Sequence, residues 1–488
     1  MRTPLLKHAL PMAAASALAL IVAGCKPVGP DYSKPAYHAP EAYKETGAAT
    51  VEPPPGGSWK AASPSDGMLR GKWWEIYGDP QLNTLEEKIA PGNQDLRHAT
   101  EIYLAARDQV ASARSGLFPT VSANVGSSRS DLSQNRPSAS TTTHYNDFTI
   151  GGQASWEPDF WGRIRRTIES ASATTQASAA DVASIDLSLH AELASDYFAL
   201  RGLDAESKLL DATVTTLEDQ LKLTEDRLSG GVSTEADVAL ARTQLETVRA
   251  QRVDIGVARA QYEHALATLT NQNAAEFSLA PAPLNLTLPK IPLGVPSQLL
   301  ERRPDIAAAE RRTAAANAQI GIARSAYYPT IPLGLSGGFD STHSGTLLTG
   351  PSALWSLGAH ATELLFDAGQ RHALNDQARH NYEAQAASYR STVLAAFNGV
   401  EDQLSTLRVL EQESVVEQRA VASAQRSLDL SNERYRGGVA SYLEVLASET
   451  ALMNNQRTQI QLTTRQFSAS VALVRSLGGG WDTTQLPK

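Results

Sequence analysis

Apolar positions recur along this chain with two different periods. Phe148, Ile150, Ala154 and Trp156 alternate with Thr149, Gly151, Gln153, Ser155 and Glu157. Ile331, Leu333, Leu335 and Phe339 alternate with Pro332, Gly334, Ser336, Gly338 and Asp340, and Trp355, Leu357, Ala359 and Ala361 share one parity of a further stretch. This period of two predicts strands at about 118–129, 145–157, 328–340 and 353–366. An aromatic near the strand end suits a strand with one lipid face and one wet face, and a small soluble antiparallel sheet would show the same alternation. Ser/Thr/Asn-rich stretches at 127–144 and 340–352 read as exposed hairpin loops. Elsewhere the spacing is helical. Leu210, Val214, Leu217, Leu221, Thr224 and Leu228 recur at alternating steps of four and three, which is a heptad seam. The seam lies in a proline-free stretch from about Ile164 to Leu228, matched by a second from about Arg371 to Tyr435. At 1.5 Å per residue such helices reach roughly 100 Å, too long for a compact globule. Return helices follow at about 234–271 and 441–477. Shorter helices at about 80–117 and 296–327 are closed by Pro119 and Pro329.

The two halves share one plan. Gly230-Gly231-Val232 recurs 207 positions later as Gly437-Gly438-Val439, and the same shift pairs Leu200-Arg201 with Leu407-Arg408, Leu223 with Leu430, Arg227 with Arg434 and Val238 with Val445. Upstream, Ala113-Arg114-Ser115 and Pro119-Thr120 recur 210 positions on as Ala323-Arg324-Ser325 and Pro329-Thr330. Matches this widely spread imply an internal duplication. The organisation expected is a first repeat at 67–272, a Pro-rich equatorial connector at 273–295, a second repeat at 296–478 and a short tail at 479–488. Each Gly-Gly pair reverses the chain between helices, because glycine tolerates the left-handed backbone at a helix end. Arg201 and Arg408, equivalent mid-helix positions, are expected in interhelical salt bridges.

Four strands cannot close a barrel, and an open edge is not tolerated in lipid. A cyclic trimer is the simplest closure: three chains supply twelve strands, and the same symmetry gathers the long helices into a tube. The fold class expected is therefore mainly α with a membrane β-barrel. Four strands per chain complete a 12-stranded trimeric barrel, and duplicated coiled-coil hairpins form an α-barrel.

Composition narrows the classes. The chain of 488 residues carries 43 basic and 52 acidic side chains, a poor balance for binding nucleic acid. Aromatics at 6% and charged residues at 19% suit a thin wall of small polar residues. The single cysteine excludes a disulfide framework and any multi-cysteine metal site. Arg2 and Lys7 precede an apolar stretch, Ala9 to Val22, too short to span a bilayer, which reads as a signal peptide over 1–24. Val22-Ala23-Gly24-Cys25 follows and resembles the lipobox of bacterial lipoproteins. That resemblance implies acylation of Cys25, and Lys26 after it implies the outer membrane. Residues 25–66, with Pro53-Pro54-Pro55, read as an extended lipidated tether.

Beside the lipobox and the two Gly-Gly-Val turns stand Trp73-Trp74, Asp79-Pro80-Gln81-Leu82, Trp156-Glu157, Phe160-Trp161-Gly162-Arg163, Leu300 to Ile306 and Leu364 to Gly369. Together they resemble the TolC-like outer-membrane efflux lipoproteins paired with resistance-nodulation-division (RND) pumps, over nearly the whole chain after the signal. The resemblance implies a homotrimeric, passive but gated exit duct for drugs, toxic compounds or metals. It would be anchored in outer-membrane lipid and would extend into the periplasm. A periplasmic adaptor and an inner-membrane RND-type transporter are the implied partners. It also implies that Gly230, Gly231, Val232, Gly437, Gly438 and Val439 form the adaptor-contacting tip. Asp237, Leu443 and Glu444 match positions lining the periplasmic gate. Ala447 stands where many relatives carry an aspartate, so the acidic ring is either smaller or moved toward Glu444 and Glu449.

An enzyme is not expected. His190, His264, His360, His372 and His380 are scattered without metal-ligand spacing, and no phosphate loop or nucleophile elbow is present. No catalytic residue, metal site, cofactor or nucleic-acid partner is assigned. The alternatives are a type I protein-secretion duct and a coiled-coil structural or adhesin lipoprotein; the adhesin leaves the duplicated strand pairs without a purpose.

Overall fold

The computed structural model describes residues 26–37, 39–40, 42–46, 71–133, 144–282, 284, 286–291 and 299–487. Cys25, the signal segment, residues 47–66 of the expected tether, the first four residues of the expected first repeat, and parts of the first hairpin loop and of the connector lie outside these. Short helices α1 (Pro80–Glu86), α2 (Ile89–Gly92) and α3 (Gln94–Ser115) precede strands β1 (Thr120–Asp131) and β2 (His144–Trp156). The first hairpin follows as α4 (Arg163–Ser229) and α5 (Glu235–Leu269). The second half repeats the order with α6 (Leu299–Arg302), α7 (Pro304–Ser325), β3 (Leu333–Ser341), β4 (Ala353–Ala359), α8 (Gln370–Arg436) and α9 (Tyr442–Ser476). The duplication is visible in the lengths. Helices α3 and α7 have 22 residues each, α4 and α8 have 67, and α5 and α9 have 35.

Four boundaries differ from the sequence expectation, one being that the strand expected over 328–340 begins only at Leu333, after Pro329 and Pro332. The single helix expected over 80–117 is three, because Pro91 and Gly92 interrupt it and Asn93 restarts it. The Asn93 carboxamide oxygen accepts from the N–H groups of Asp95 and Leu96, as an N-cap does. The helix expected over 296–327 is likewise split before Pro304. The fourth strand stops at Ala359 rather than continuing to 366, where β3 no longer lies beside it as a continuous partner.

The chain divides into two compact units. The first comprises the described residues among 26–36, 102–178 and 309–389 and holds the sheet. Its strand order is β1-β2-β3-β4, antiparallel throughout, so β1 and β4 each present an open edge. The register sorts the side chains by face. One row runs Val121, Ala154, Leu335, Leu357, and the next runs Ser122, Gln153, Ser336, Ser356. Facing residues share a face and successive residues alternate, so one face is apolar and the other polar. The apolar face is uncovered: Val125 and Trp355 are each 80% exposed.

In this unit the stretch read as a tether does not hang free. Val28 N–H donates to the Trp161 carbonyl, and Arg166 donates to the Val28 and Gly29 carbonyls and to Asp31. Tyr32 donates to Glu310 at 2.5 Å. Gly29, at φ 102°, lies so close to Gly321 that a Cβ on either would collide with backbone of the other segment.

The second unit comprises the described residues among 37–101, 179–308 and 390–487 and holds most of both hairpins. The seam Leu210, Val214, Leu217 and Leu221 packs with Leu245, Val248, Ile255 and Met453, and Thr224 is fully buried. Each such leucine contributes roughly 1.5–3 kcal/mol by leaving water. Trp73, Trp74, Tyr77, Leu82, Leu85 and Ile89 are buried, and Tyr77 lies against Phe198 at 4.9 Å and Phe467 at 6.1 Å. Arg201 is buried, donating to Asp204 at 2.8 Å, to the Ala280 carbonyl at 2.9 Å and to Gln81. Its repeat partner Arg408 pairs with Glu45 at a half-exposed position. Neither is the expected salt bridge between long helices: Arg201 pairs with Asp204 one turn along α4 itself, and Arg408 reaches a carboxylate of the short 3-10 turn at Lys44–Thr46.

Candidate functional site at the hairpin turns

Both hairpins reverse through the same backbone motif. Val232 N–H donates to the Arg227 carbonyl and Gly231 N–H to that of Leu228; Val439 donates to Arg434 and Gly438 to Tyr435. This crossed pair satisfies the last carbonyls of α4 and α8 and needs one left-handed residue. That residue is the second glycine of each pair, Gly231 at φ 71° and Gly438 at φ 74°. Gly230 and Gly437 lie outside the left-handed region. Val232 and Val439, 67% and 72% exposed, project from the turns with little intramolecular cover.

The acidic residues past the turns are used differently in the two halves. Asp237 closes a capping box: its carboxylate accepts from Thr234 N–H and Oγ1 and from Ser233 Oγ, while its own N–H donates to Thr234 Oγ1. The backbone hydrogen bond from Thr234, helped by those from the hydroxyls, holds its carboxyl below the usual carboxylate range. Glu444, 207 positions on, makes no such box, and the Ser441 side chain does not cap α9. Glu444 instead pairs with Arg434 at 3.1 Å across the turn. Leu443 is 59% exposed.

A whole-family comparison decides what kind of protein carries these turns. The family model described as outer membrane efflux protein matches residues 87–272 and 295–479. The chain belongs to the outer membrane efflux protein family. It is an efflux channel component of the outer membrane, a transport duct and not an enzyme. The pyoverdine export outer membrane protein OpmQ of Pseudomonas aeruginosa is 32% identical over 430 residues, 86% of this chain and 90% of the relative. The antibiotic efflux pump outer membrane protein ArpC of Pseudomonas putida is 31% identical over 469 residues, 95% and 94% of the two chains. Among solved structures, the outer-membrane channel OprN superposes with a TM-score of 0.84 at 29% identity, covering 93% of this chain and 99% of its own. The open state of the MtrE channel of Neisseria gonorrhoeae gives 0.78 at 28% identity, covering 94% and 99%.

In this efflux protein the turns rest on a layer that the sequence did not flag. Arg227 lies over the Tyr435 ring at 4.6 Å, Tyr435 meets Tyr442 edge-on at 5.7 Å, and Tyr442 donates to Gln220 at 3.3 Å. Arg227 and Arg434 are therefore equivalent by duplication and distinct in use, one on an aromatic face and one on a carboxylate. The signal available was the pair of tyrosines flanking the second turn, where the first half has Leu228 and Glu235. Glu449 is 5% exposed, with one carboxylate oxygen lacking a hydrogen-bond partner among the described residues. Burial, partly opposed by a hydrogen bond from Gln220, pushes its carboxyl up to about 7. A buried acid of this kind does not present a solvated charge. Among the described residues no group of His, Cys, Asp and Glu could hold a metal ion, and no helix is long and apolar enough to cross a membrane.

Proposed function

We propose that three copies of this chain assemble into a gated exit duct for small molecules, drugs, toxic compounds or metals among them. A periplasmic adaptor and an inner-membrane RND-type transporter complete the pump. The observation that carries the reading is the sheet: four strands, one apolar face, and open edges on β1 and β4. In lipid an open edge costs several kcal/mol for each unpaired peptide group, so further copies must pair it. The halves over 67–272 and 296–478, joined by a connector over 273–295, give each copy two hairpins for the wall of the tube. The antibiotic efflux name of ArpC supports small-molecule cargo.

The turns Gly230-Gly231-Val232 and Gly437-Gly438-Val439, each presenting an exposed valine, are the proposed adaptor contact. Asp237, Leu443 and Glu444 are the proposed gate: repeated threefold, the two carboxylates form rings that concentrate cations, and Leu443 forms an apolar constriction. Cys25 is the proposed lipid attachment, which incorporation of labelled palmitate tests directly. For the gate, the protein with Asp237→Ala and Glu444→Ala is inserted in planar bilayers. The first change removes a cap and the second an ion pair across the turn, so single-channel conductance and antibiotic entry are expected to rise. Wild-type values for both sink the gate assignment.

A further inference from the structure

The duplication is geometrically regular, and it fixes a seam that a single chain cannot show. A shift of 210 positions carries β1 into β3, and a shift of 207 carries β2 into β4. Under these shifts the pair Ala123·Gly152 becomes Leu333·Ala359, and Val125·Ile150 becomes Leu335·Leu357; both are paired as required. Even Thr120·Ser155 becomes Thr330·Thr362, which stands as an isolated bridge beyond the end of β4. The two hairpins of the sheet are thus one register copied twice. The seam between the halves, β2 against β3, is also observed, and it runs from Phe148·Ser341 to Trp156·Leu333.

We infer that β4 of one copy pairs with β1 of the next in the register of that internal seam. The inference rests on the trimeric reading above and adds which residues meet. Carried by the same shifts, Gly152·Gly337 becomes Ala359·Ser127, and Ala154·Leu335 becomes Ala361·Val125 of the neighbour. The full seam runs from Trp355·Asp131 to Glu363·Ala123. The physical ground is that strand tilt and stagger are linked around a closed barrel, so repeats that share one stagger inside the chain continue it between chains.

An independent check is the parity of the faces. The register sets Ala361 and Ala359 opposite Val125 and Ser127, all of the parity that carries the apolar row Val121, Ala154, Leu335, Leu357. A slip by one residue would set that row against the polar row of the neighbour, which a lipid-facing sheet cannot accept. Slips by two keep parity and are excluded only by the repeat. The contacting edges are open for the purpose: Val121 and Val125 on β1 and Trp355 and Leu357 on β4 are all more than 70% exposed. Beyond β4, Leu365 and Phe366 are 89% and 84% exposed, and the same register continues toward Val121 and Thr120.

The test is disulfide trapping in the full-length protein in its membrane. Ala361→Cys combined with Val125→Cys, and separately Ala359→Cys with Ser127→Cys, are expected to give dimers and trimers on non-reducing gels after mild oxidation. Within one chain β1 and β4 are three strand spacings apart, about 14 Å, so an intramolecular bond cannot form. Single-cysteine variants control for Cys25. Trapping by Ala361→Cys with Ala123→Cys or with Ser127→Cys, in preference to Val125→Cys, overturns the register while leaving the trimer standing. Absence of any cross-linked species at all of these positions, with the variants folded and membrane-inserted, overturns both.

Discussion

The buried carboxyl of Glu449 ties the pH dependence of the helical wall to one residue. It is 5% exposed on α9, and burial outweighs the one hydrogen bond that favours its charged form. Gln220 of α4 offers an amide, and Tyr442, which feels the Glu449 charge, is a phenol. Burial raises its carboxyl to about 7, whereas in the unfolded chain it titrates near the ordinary 4.5. The folded state therefore holds the proton more tightly. Its advantage is complete below pH 4.5 and is lost as pH rises through 7. Each pH unit in that window costs about 1.4 kcal/mol, so the whole interval costs roughly 3 kcal/mol per chain. Glu449→Gln keeps the shape and removes the titration. The variant is expected to lose less stability than wild type between pH 5 and pH 8, and to be the more stable protein at pH 8. Denaturant unfolding followed by helical circular dichroism measures this, with the difference read at each pH. Parallel profiles for the two proteins would refute the assignment, because a solvated Glu449 would already be ionised across the window.

The duplication supplies matched controls for two further tests. Arg201→Met removes a buried guanidinium that serves Asp204, Ala280 and Gln81, and is expected to cost about 3 kcal/mol, the lower end for a buried pair because Arg259 still reaches Asp204 at 2.7 Å. Arg408→Met, at the equivalent half-exposed position, is expected to cost under about 1 kcal/mol; equal losses in thermal melting would contradict the contrast in burial. Gly438→Ala forces a Cβ into the left-handed region and is expected to cost about 1–2 kcal/mol, with faster amide exchange at the turn, while Gly437→Ala is near neutral. A Gly437→Ala loss as large as that of Gly438→Ala would show that the turn does not depend on the left-handed residue.

Much of this architecture is legible in the sequence because its causes are local. Alternation at 148–156 marks a strand wherever it lies, the absence of proline over 164–228 permits one long helix, and a Gly-Gly pair ends it. The 207-residue repeat then transfers each conclusion to the second half. The breaks at Pro91-Gly92 and Pro304 were equally local. What the sequence could not decide is how equivalent residues are used. Arg227 and Arg434 sit at the same place in the repeat, yet one meets Tyr435 and the other Glu444. Asp237 matches a gate position by resemblance alone, and only the structure shows its carboxylate bonded within a capping box. Glu449 is one of the two positions toward which the resemblance could move the acidic ring, and in the structure it is buried against Gln220, more than two hundred residues away. Periodicity tells which face of a helix is apolar, but the burial and charge partners of a single side chain depend on which distant helix is laid against it. That choice is made by the packing of the two hairpins as a whole.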